Sequence, residues 1–197
     1  MKFEQMEVYL KQWLRSGTYI HSVNTMKTAV SLAEHYGENT EQAAVAGLLH
    51  DCAKDLQDNE TLNYCRKYEI SPDEVEERQV FLLHGKVGAI IAREIYQVED
   101  MAVLKAIQNH TTGHTDMSML DKIVFLADYI EPGRNHSMVA KVRKLAYDDI
   151  DKALVSSFDN TIEYVISQKG LLHPNTIIAR NRILMNISGY NESKGLE

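Results

Sequence analysis

The stretch that most constrains this chain is Ala43–Leu49 with His50 and Asp51 set at its end, AAVAGLLHD. An unbroken run of small and aliphatic residues has no polar face, so a helix there is buried on all sides. A buried helix that carries an imidazole beside a carboxylate must satisfy both groups, because an unpaired one is expensive to desolvate. Coordinating a cation satisfies both in one step. The same helix places Lys54 four residues after His50 and three after Asp51, hence on their face.

The rest of the chain reads as helix after helix. Three prolines and ten glycines fall at punctuation points. Residues 4–15 and 22–36 repeat apolar side chains three and four apart, and Val23, Met26, Val30 and Ala33 mark one face of the second segment. Gly37 ends it, and Thr40 followed by Glu41 and Gln42 opens the buried helix. Asp58 or Asn59 caps a short helix that ends near Lys67. Ser71-Pro72-Asp73-Glu74 is a helix start with proline at the first position. Segments 86–97, 100–110 and 118–130 are helical by period, separated by Val98–Glu99 and by Thr111-Thr112-Gly113, and Pro132-Gly133 stops the third. Residues 137–168 form one long helix or two shorter ones. His173-Pro174-Asn175-Thr176 starts a last one, and the tail frays from about Ser188. No alternating period-two stretch of any length occurs, so the expectation is one all-α domain over residues 1–197.

The formal net charge of −7 argues against a sequence-blind nucleic-acid binder, which needs a basic face to displace counterions. It also means that an anionic substrate requires local positive charge. The N-terminal MKFEQMEVYLKQWLR is charged throughout, so it reads as neither a signal peptide nor an anchor. No apolar run approaches the roughly 20 residues that span a bilayer. Cys52 and Cys65 lack metal-knuckle spacing, and a reducing, cytoplasmic setting fits two isolated thiols.

Other costly polar residues echo His50-Asp51. Asp128 lies among Ile123, Val124, Leu126, Ala127 and Ile130. His21 stands at the start of a helix that otherwise buries aliphatics, and His84 and His110 open or close helices in FLLHGKVGA and AIQNHTTGH. Singly, each has an ordinary explanation as a hydrogen-bonded core residue, a cap or a lysine partner. Jointly, four histidines and two aspartates at helix ends or in apolar settings point to a metal site. His35 precedes Tyr36-Gly37 near a helix C-terminus, where a cation suits the dipole, and His136 lies in a polar loop; both read as structural or solvated. His110 and His114 have zinc-like spacing, but Gly113 and two threonines between them break the helix, which disfavours a dedicated zinc site.

The order His21 … His50-Asp51 … Asp128 resembles the signature of HD-domain phosphohydrolases, and the additional His84 and His110 resemble the members that hold two metals. LLHDCAKD, FLLHGKVGA, NHTTG, LDKIVFLADYIEPGR and HPNTIIARN are similar to the YqeK family, bacterial HD proteins that hydrolyse diadenosine tetraphosphate symmetrically to two ADP. The similarity runs from about residue 15 to residue 183. It implies a single HD-domain helical bundle, with an HD core at about 15–135 and C-terminal helices at 137–187 packed on it. It also implies a symmetrical bis(5'-nucleosyl)-tetraphosphatase. One metal is then held by His21, His50, Asp51 and Asp128, and the second by His84, His110 and a bridging Asp51. Iron is favoured for both positions, with manganese or cobalt as alternatives. Asp51 and Lys54 are the expected catalytic residues. Lys54, Lys86, Thr111, Thr112, Gly113, His114 and Arg134 are the expected substrate contacts, the amides of the Thr111–Gly113 turn forming an anion cradle. The chain departs from the family where His114 replaces an expected arginine and Lys86 a smaller or neutral residue. The implied partner is a dinucleoside polyphosphate or purine nucleotide, with no nucleic acid and no membrane, and a homodimer is compatible. Three alternatives stay open: an HD-type nucleotidase, a nucleoside triphosphate phosphohydrolase, and a nucleotide-sensing module without turnover. A cyclic-dinucleotide phosphodiesterase is disfavoured by the lack of a Gly-Tyr-Pro signature.

Overall fold

Asn39 opens the helix that its neighbours surround. Its side-chain oxygen accepts from the amides of Glu41 and Gln42 at 2.9 and 3.1 Å, so the helix starts at Thr40. The computed structural model describes residues 1–135 and 138–187. Among the described residues it contains ten α-helices and a single 3-10 turn, Val80–Leu83, with no strand, as the helical periodicity predicts. In chain order the helices are α1 (Phe3–Trp13), α2 (Ser16–Tyr36), α3 (Thr40–Leu49), α4 (Asp58–Lys67), α5 (His84–Glu94), α6 (Met101–Asn109), α7 (Met119–Ile130), α8 (Val139–Asp148), α9 (Ile150–Ser167) and α10 (Pro174–Asn186). The readings of His136 and of a frayed tail from Ser188 lie outside the described residues.

Helix α3 is buried as its composition requires: Ala43, Ala46, Leu48 and Leu49 have no exposed surface. It packs against α2, α6 and α7, while α5 lies on α6, and α8, α9 and α10 build outward from α7 through α9. The buried apolar residues form one connected core that runs from Met6 to Ile183. Arg143 of α8 fastens the end of α7 by donating to the carbonyls of Ile130 and Glu131, both at 2.6 Å. A cation on the last carbonyls of a helix also complements its dipole.

The expected α2 is corrected in two ways. It begins at Ser16 rather than near residue 22, because Arg15 anchors the entry: its amide and guanidinium donate to the Asp55 carboxylate at 2.6–2.8 Å. His21 therefore lies inside the helix and not at its start. The buried face is also shifted. Ser22, Thr25, Ala29, Leu32 and Ala33 are buried, whereas Val23, Met26 and Val30 are only partly so. Small side chains win that face because α3 comes unusually close. A Cβ on Gly47 would lie 2.9 Å from the Met26 Cα and 3.1 Å from the Ala29 Cβ.

Further boundaries differ, and the region after residue 137 takes the two-helix form. Helix α3 stops at Leu49, because the His50 ring takes the Gly47 carbonyl at 2.8 Å and the backbone tightens to Cys52 N–Leu49 O and Lys54 N–Asp51 O bonds. Lys54 thus follows a turn and not a continued helix. Residues 71–79 form a turn rather than the helix that Ser71-Pro72 suggests. Asp73 caps Val75 and Glu76 as a helix start would, but Glu76 is then drawn inward to pair with Lys86. The region after residue 137 divides into two helices at Asp149, whose extended φ of −159° breaks α8 from α9.

Since a Cβ at position 47 meets backbone, Gly47→Ala should lower unfolding free energy by about 1–3 kcal/mol and loosen metal binding by shifting His21 from His50. Gly17, with nothing within 4 Å of its added Cβ, is the control. Gly17→Ala should be neutral or stabilising by about 0.5–1 kcal/mol. Urea denaturation of both variants decides this, and an unchanged midpoint for Gly47→Ala would refute the close-approach argument.

Candidate metal centre

Three of the expected ligands share one local device. His50 follows the last residue of α3, His110 follows the last residue of α6, and His84 follows the 3-10 turn and opens α5. In each, Nδ1 lies against the carbonyl oxygen three residues back: Gly47 at 2.8 Å, Ile107 at 2.7 Å and Phe81 at 2.6 Å. A carbonyl only accepts, so Nδ1 carries the proton and a neutral ring offers a bare lone pair at Nε2. His21 reaches the same state through a carboxylate, with Nδ1 3.2 Å from Glu131 Oε1.

The four Nε2 atoms converge on Asp51. His21 and His50 lie 3.6 and 3.5 Å from Oδ2, while His84 and His110 lie 3.1 and 3.4 Å from Oδ1. Each oxygen of one buried carboxylate thus faces its own pair of imidazoles. The Nε2 atoms of the pairs are 3.2 Å apart (His21–His50) and 3.0 Å apart (His84–His110). Asp128 joins the first pair, with Oδ1 2.9 Å from His21 Nε2 and 3.9 Å from His50 Nε2. With Nδ1 committed and the rings neutral, these six side chains bring together acceptors and no donor. Asp51 Oδ1 is buried with no hydrogen-bond partner. Lone pairs this close repel unless a cation lies between them, so the residues present fit a divalent metal.

A protein-family model, HD domain, matches residues 18–133. The chain belongs to the HD domain family. The match runs from α2 to just past α7 and encloses all six residues. Helices α8–α10 lie beyond it. Two curated relatives carry the name symmetrical bis(5'-nucleosyl)-tetraphosphatase. The one from Halalkalibacterium halodurans is 39% identical over 89% of this chain and 94% of its own length. The one from Bacillus subtilis is 35% identical over 92% of this chain and 97% of its own. A crystal structure from Clostridium acetobutylicum, described as a predicted HD superfamily hydrolase involved in NAD metabolism, superposes with a TM-score of 0.91 at 44% identity, covering 94% of this chain and 98% of that one. HD domains bind divalent metal ions, which accords with the donor set here. Among the described residues no helix is long and apolar enough to cross a membrane.

The expected substrate contacts of this HD domain divide into two groups. Lys54 Nζ reaches the centre, 3.7 Å from Asp51 Oδ1 and 3.2 Å from His84 Nε2, with its side chain 42% exposed. Thr111 Oγ1 touches His84 and His110 Nε2 at 3.3 and 3.4 Å. Arg134 stands at the rim, giving Nη2 to Asp128 Oδ1 at 2.7 Å and Nε to the Asp128 carbonyl at 3.1 Å. Others turn elsewhere. Lys86 is paired with buried Glu76 at 2.6 Å, and exposed His114 accepts from the Asp116 amide. The Gly113 amide is spent on the Asn109 carbonyl at 2.9 Å, so the expected cradle loses that donor. Gly113 itself is needed for packing: its φ is +73°, and a Cβ would lie 2.7 Å from the Phe158 ring. Thr112 is half-buried beside it. His35, read as structural, packs its exposed ring against Tyr36 and Tyr147.

Sequence reasoning overlooked Glu131. It is buried, it orients His21, and its Oε2 accepts from the Gly133 amide at 2.6 Å. The signal was present in Glu-Pro-Gly directly after the Asp128 helix. A Cβ on Gly133 would sit 2.8 Å from the Glu131 carboxylate, so the glycine accommodates the glutamate. Carboxylates behind metal-bound histidines hold their tautomer and orientation. Glu131→Ala should therefore weaken metal affinity about 10- to 100-fold without unfolding the protein, as read by competition with a chelating dye.

Charge is tuned around the same atoms. Burial opposes ionisation of Asp51, but His50 when charged, and the neighbouring imidazoles of His110 and His84, hold its carboxyl well below the usual carboxylate range. Burial likewise opposes Asp128, while His21, His50 and Arg134 hold it down. Burial pushes the His110 imidazole down to about 4. Burial also disfavours charge on His50, yet Asp51 and Asp128 raise it above the ordinary imidazole value. A raised value means that the His50 proton stays until the pH climbs past the ordinary imidazole range, and an incoming metal must displace it. Metal loading should be greatest in alkaline buffer and fall as the pH drops toward the ordinary imidazole range, while His110 competes only in stronger acid. Metal content after equilibrium dialysis across mildly alkaline to mildly acid buffers checks this. Loading independent of pH would count against the proposed ligands.

Proposed function

We propose that this chain is a metal-dependent hydrolase that cleaves diadenosine tetraphosphate symmetrically into two ADP. The observation that carries the reading is the division of Asp51, one oxygen toward His21 and His50 and the other toward His84 and His110. A carboxylate divided between two donor sets is suited to bridging two cations. We assign the first position to His21, His50, Asp51 and Asp128, and the second to His84, His110 and Asp51. Imidazole and carboxylate donors without thiolate suit iron, manganese or cobalt, and the family resemblance favours iron. When bound, two such cations acidify water and draw charge from the phosphoryl oxygens of an in-line displacement. The names of the curated relatives support the substrate class. We take the chain as one folding unit, with α9 walling a cavity beside the site and α8 and α10 packed on α9.

The chain's own residues have definable parts. Glu131 holds His21, and the three backbone carbonyls hold His50, His84 and His110, so the donors are set before substrate arrives. Lys54, half-exposed beside Asp51, supplies positive charge where phosphoryl oxygens gain negative charge in the transition state. Arg134 offers its remaining guanidinium donors at the rim for a flanking phosphate. Both cations act against an overall charge of −7, so the centre is a local exception to the field of the molecule.

Incubating iron- or manganese-loaded protein with diadenosine tetraphosphate should yield ADP as the sole product by chromatography. Asp51→Ala should yield none while remaining folded and losing metal. Lys54→Ala should keep both metals and lose about a hundredfold in turnover. ATP plus AMP would overturn symmetrical cleavage. Tight nucleotide binding without product would favour a sensing module instead.

A further inference from the structure

The two cation positions assigned above are unequal. The first is given His21, His50, Asp51 and Asp128, the second only His84, His110 and Asp51. A further oxygen faces the second set. Thr111 Oγ1 lies 3.3 Å from His84 Nε2 and 3.4 Å from His110 Nε2. Those nitrogens are 3.0 Å apart and lie 3.1 and 3.4 Å from Asp51 Oδ1. Ligands held about 2.1 Å from one small cation lie about 3.0 Å apart in adjacent octahedral positions and about 3.4 Å apart in tetrahedral ones. All five separations fall in that range. Across the first set the corresponding distances spread more widely, from 2.9 to 3.9 Å.

The fold makes room for that oxygen. Threonine in a helix commonly turns its hydroxyl back to the carbonyl four residues earlier, as Thr28 and Thr161 do at 2.9 Å. Ahead of Thr111 that carbonyl belongs to Ile107 and receives His110 Nδ1, and the Thr111 hydroxyl turns to the imidazoles. Opposite it, α5 carries a glycine directly after His84. A Cβ on Gly85 would lie 2.9 Å from Thr111 Oγ1 and 2.7 Å from the Gln108 carbonyl, so a larger residue would push α5 off the hydroxyl. A hydroxyl has one proton and two lone pairs. With a cation on both Nε2 atoms neither ring accepts that proton, and the oxygen lone pairs are what Thr111 still offers the position. Lys54 Nζ also approaches His84 Nε2, at 3.2 Å, but an ammonium has no lone pair to give.

We infer that Thr111 Oγ1 is a protein donor to the second cation position, a neutral oxygen beside His84, His110 and Asp51. The inference rests on the reading above that Asp51 bridges two cations. Threonine hydroxyls ligate hard divalent cations in phosphate-binding loops, so the chemistry is ordinary for an oxygen-preferring ion such as manganese. The side chain is partly exposed, which leaves its proton free to turn outward to water or to a phosphoryl oxygen. The two positions then differ in charge, since the carboxylates of Asp51 and Asp128 both reach the first and Asp51 alone reaches the second.

The test titrates the metal-free full chain with cobalt(II), read by its visible ligand-field bands and by competition with a chelating dye, neither of which needs turnover. Wild type should take up two equivalents, and the one lost in His84→Ala marks the second position. Thr111→Val keeps the shape and removes the oxygen. It should weaken that equivalent about 10- to 100-fold, alter its bands and leave the other equivalent unchanged. Thr111→Ser should restore both the affinity and the bands. Two equivalents in Thr111→Val with wild-type affinity and bands would overturn the inference and leave the two-cation reading standing. Weakening of both equivalents alike, without rescue by serine, would assign Thr111 to packing and overturn it as well. A wild type that binds a single equivalent would remove the two-cation reading itself, and the inference with it.

Discussion

A carboxylate with 4% of its surface exposed, surrounded by four imidazoles whose lone pairs all face it, is the constraint on which this structure depends. Each ring is turned inward because its Nδ1 is held from behind, by a backbone carbonyl at His50, His84 and His110 and by Glu131 at His21. Three of these restraints use carbonyls in the last turn of a helix or 3-10 turn, where an oxygen has a lone pair to spare; that of Phe81 also accepts the His84 amide. Helix termination and the construction of the candidate metal site are therefore the same event. The backbone that stops at Leu49 and at Asn109 is what aims His50 and His110.

The surrounding packing serves that convergence. Gly47 and Ala29 let α2 approach α3 closely enough for His21 to reach His50, and the Cβ clearances leave no slack for larger residues. Helix α7 supplies Asp128 toward the centre, and its terminus, held by Arg143, positions Glu131 and Arg134. Helix α9 has a structural half, where Phe158 packs on Phe125 and against Gly113, and an open half that walls the cavity. Of the helices beyond the HD-domain match, α9 thus borders the cavity beside the centre, and none supplies any of its donors.

A further polar cluster shows why proximity alone is a weak criterion for a metal site. Asp73, Glu76 and His173 also bring ligand-type atoms within reach of one another. There, however, Lys86 already fills the cationic role against Glu76 at 2.6 Å. His173 Nδ1 accepts from the Asn175 amide at 3.1 Å, which puts its proton on Nε2, facing Asp73 Oδ2 at 2.8 Å. A donor stands where the main centre has a lone pair. This network ties the 71–79 turn to α5 and α10, and it explains why a sequence that starts like a helix at Ser71-Pro72 folds into a turn.

Much was legible in the sequence because burial makes unpaired polar groups expensive. A histidine next to an aspartate at the end of AAVAGLL, and an aspartate inside IVFLADYI, announced a cation before any contact was known. Helical periodicity, Gly37 and His173-Pro174 located most elements for equally local reasons. What periodicity could not register was the depth of packing. It assigned α2 a face of Val23, Met26 and Val30, but the close approach of α3 selected Ser22, Thr25 and Ala29 instead. It carried α3 through Lys54, since no residue type marks the point where an imidazole captures the carbonyl three residues back. Glu131 and Arg143 carried no isolated signal, because their significance lies in partners 110 and 12 residues away. The sequence alone determined that this chain is helical and that six polar residues needed a common solution. Only the tertiary structure decided which oxygen of Asp51 faces which histidines, and what lies beside them, because those are distances between helices that no local rule encodes.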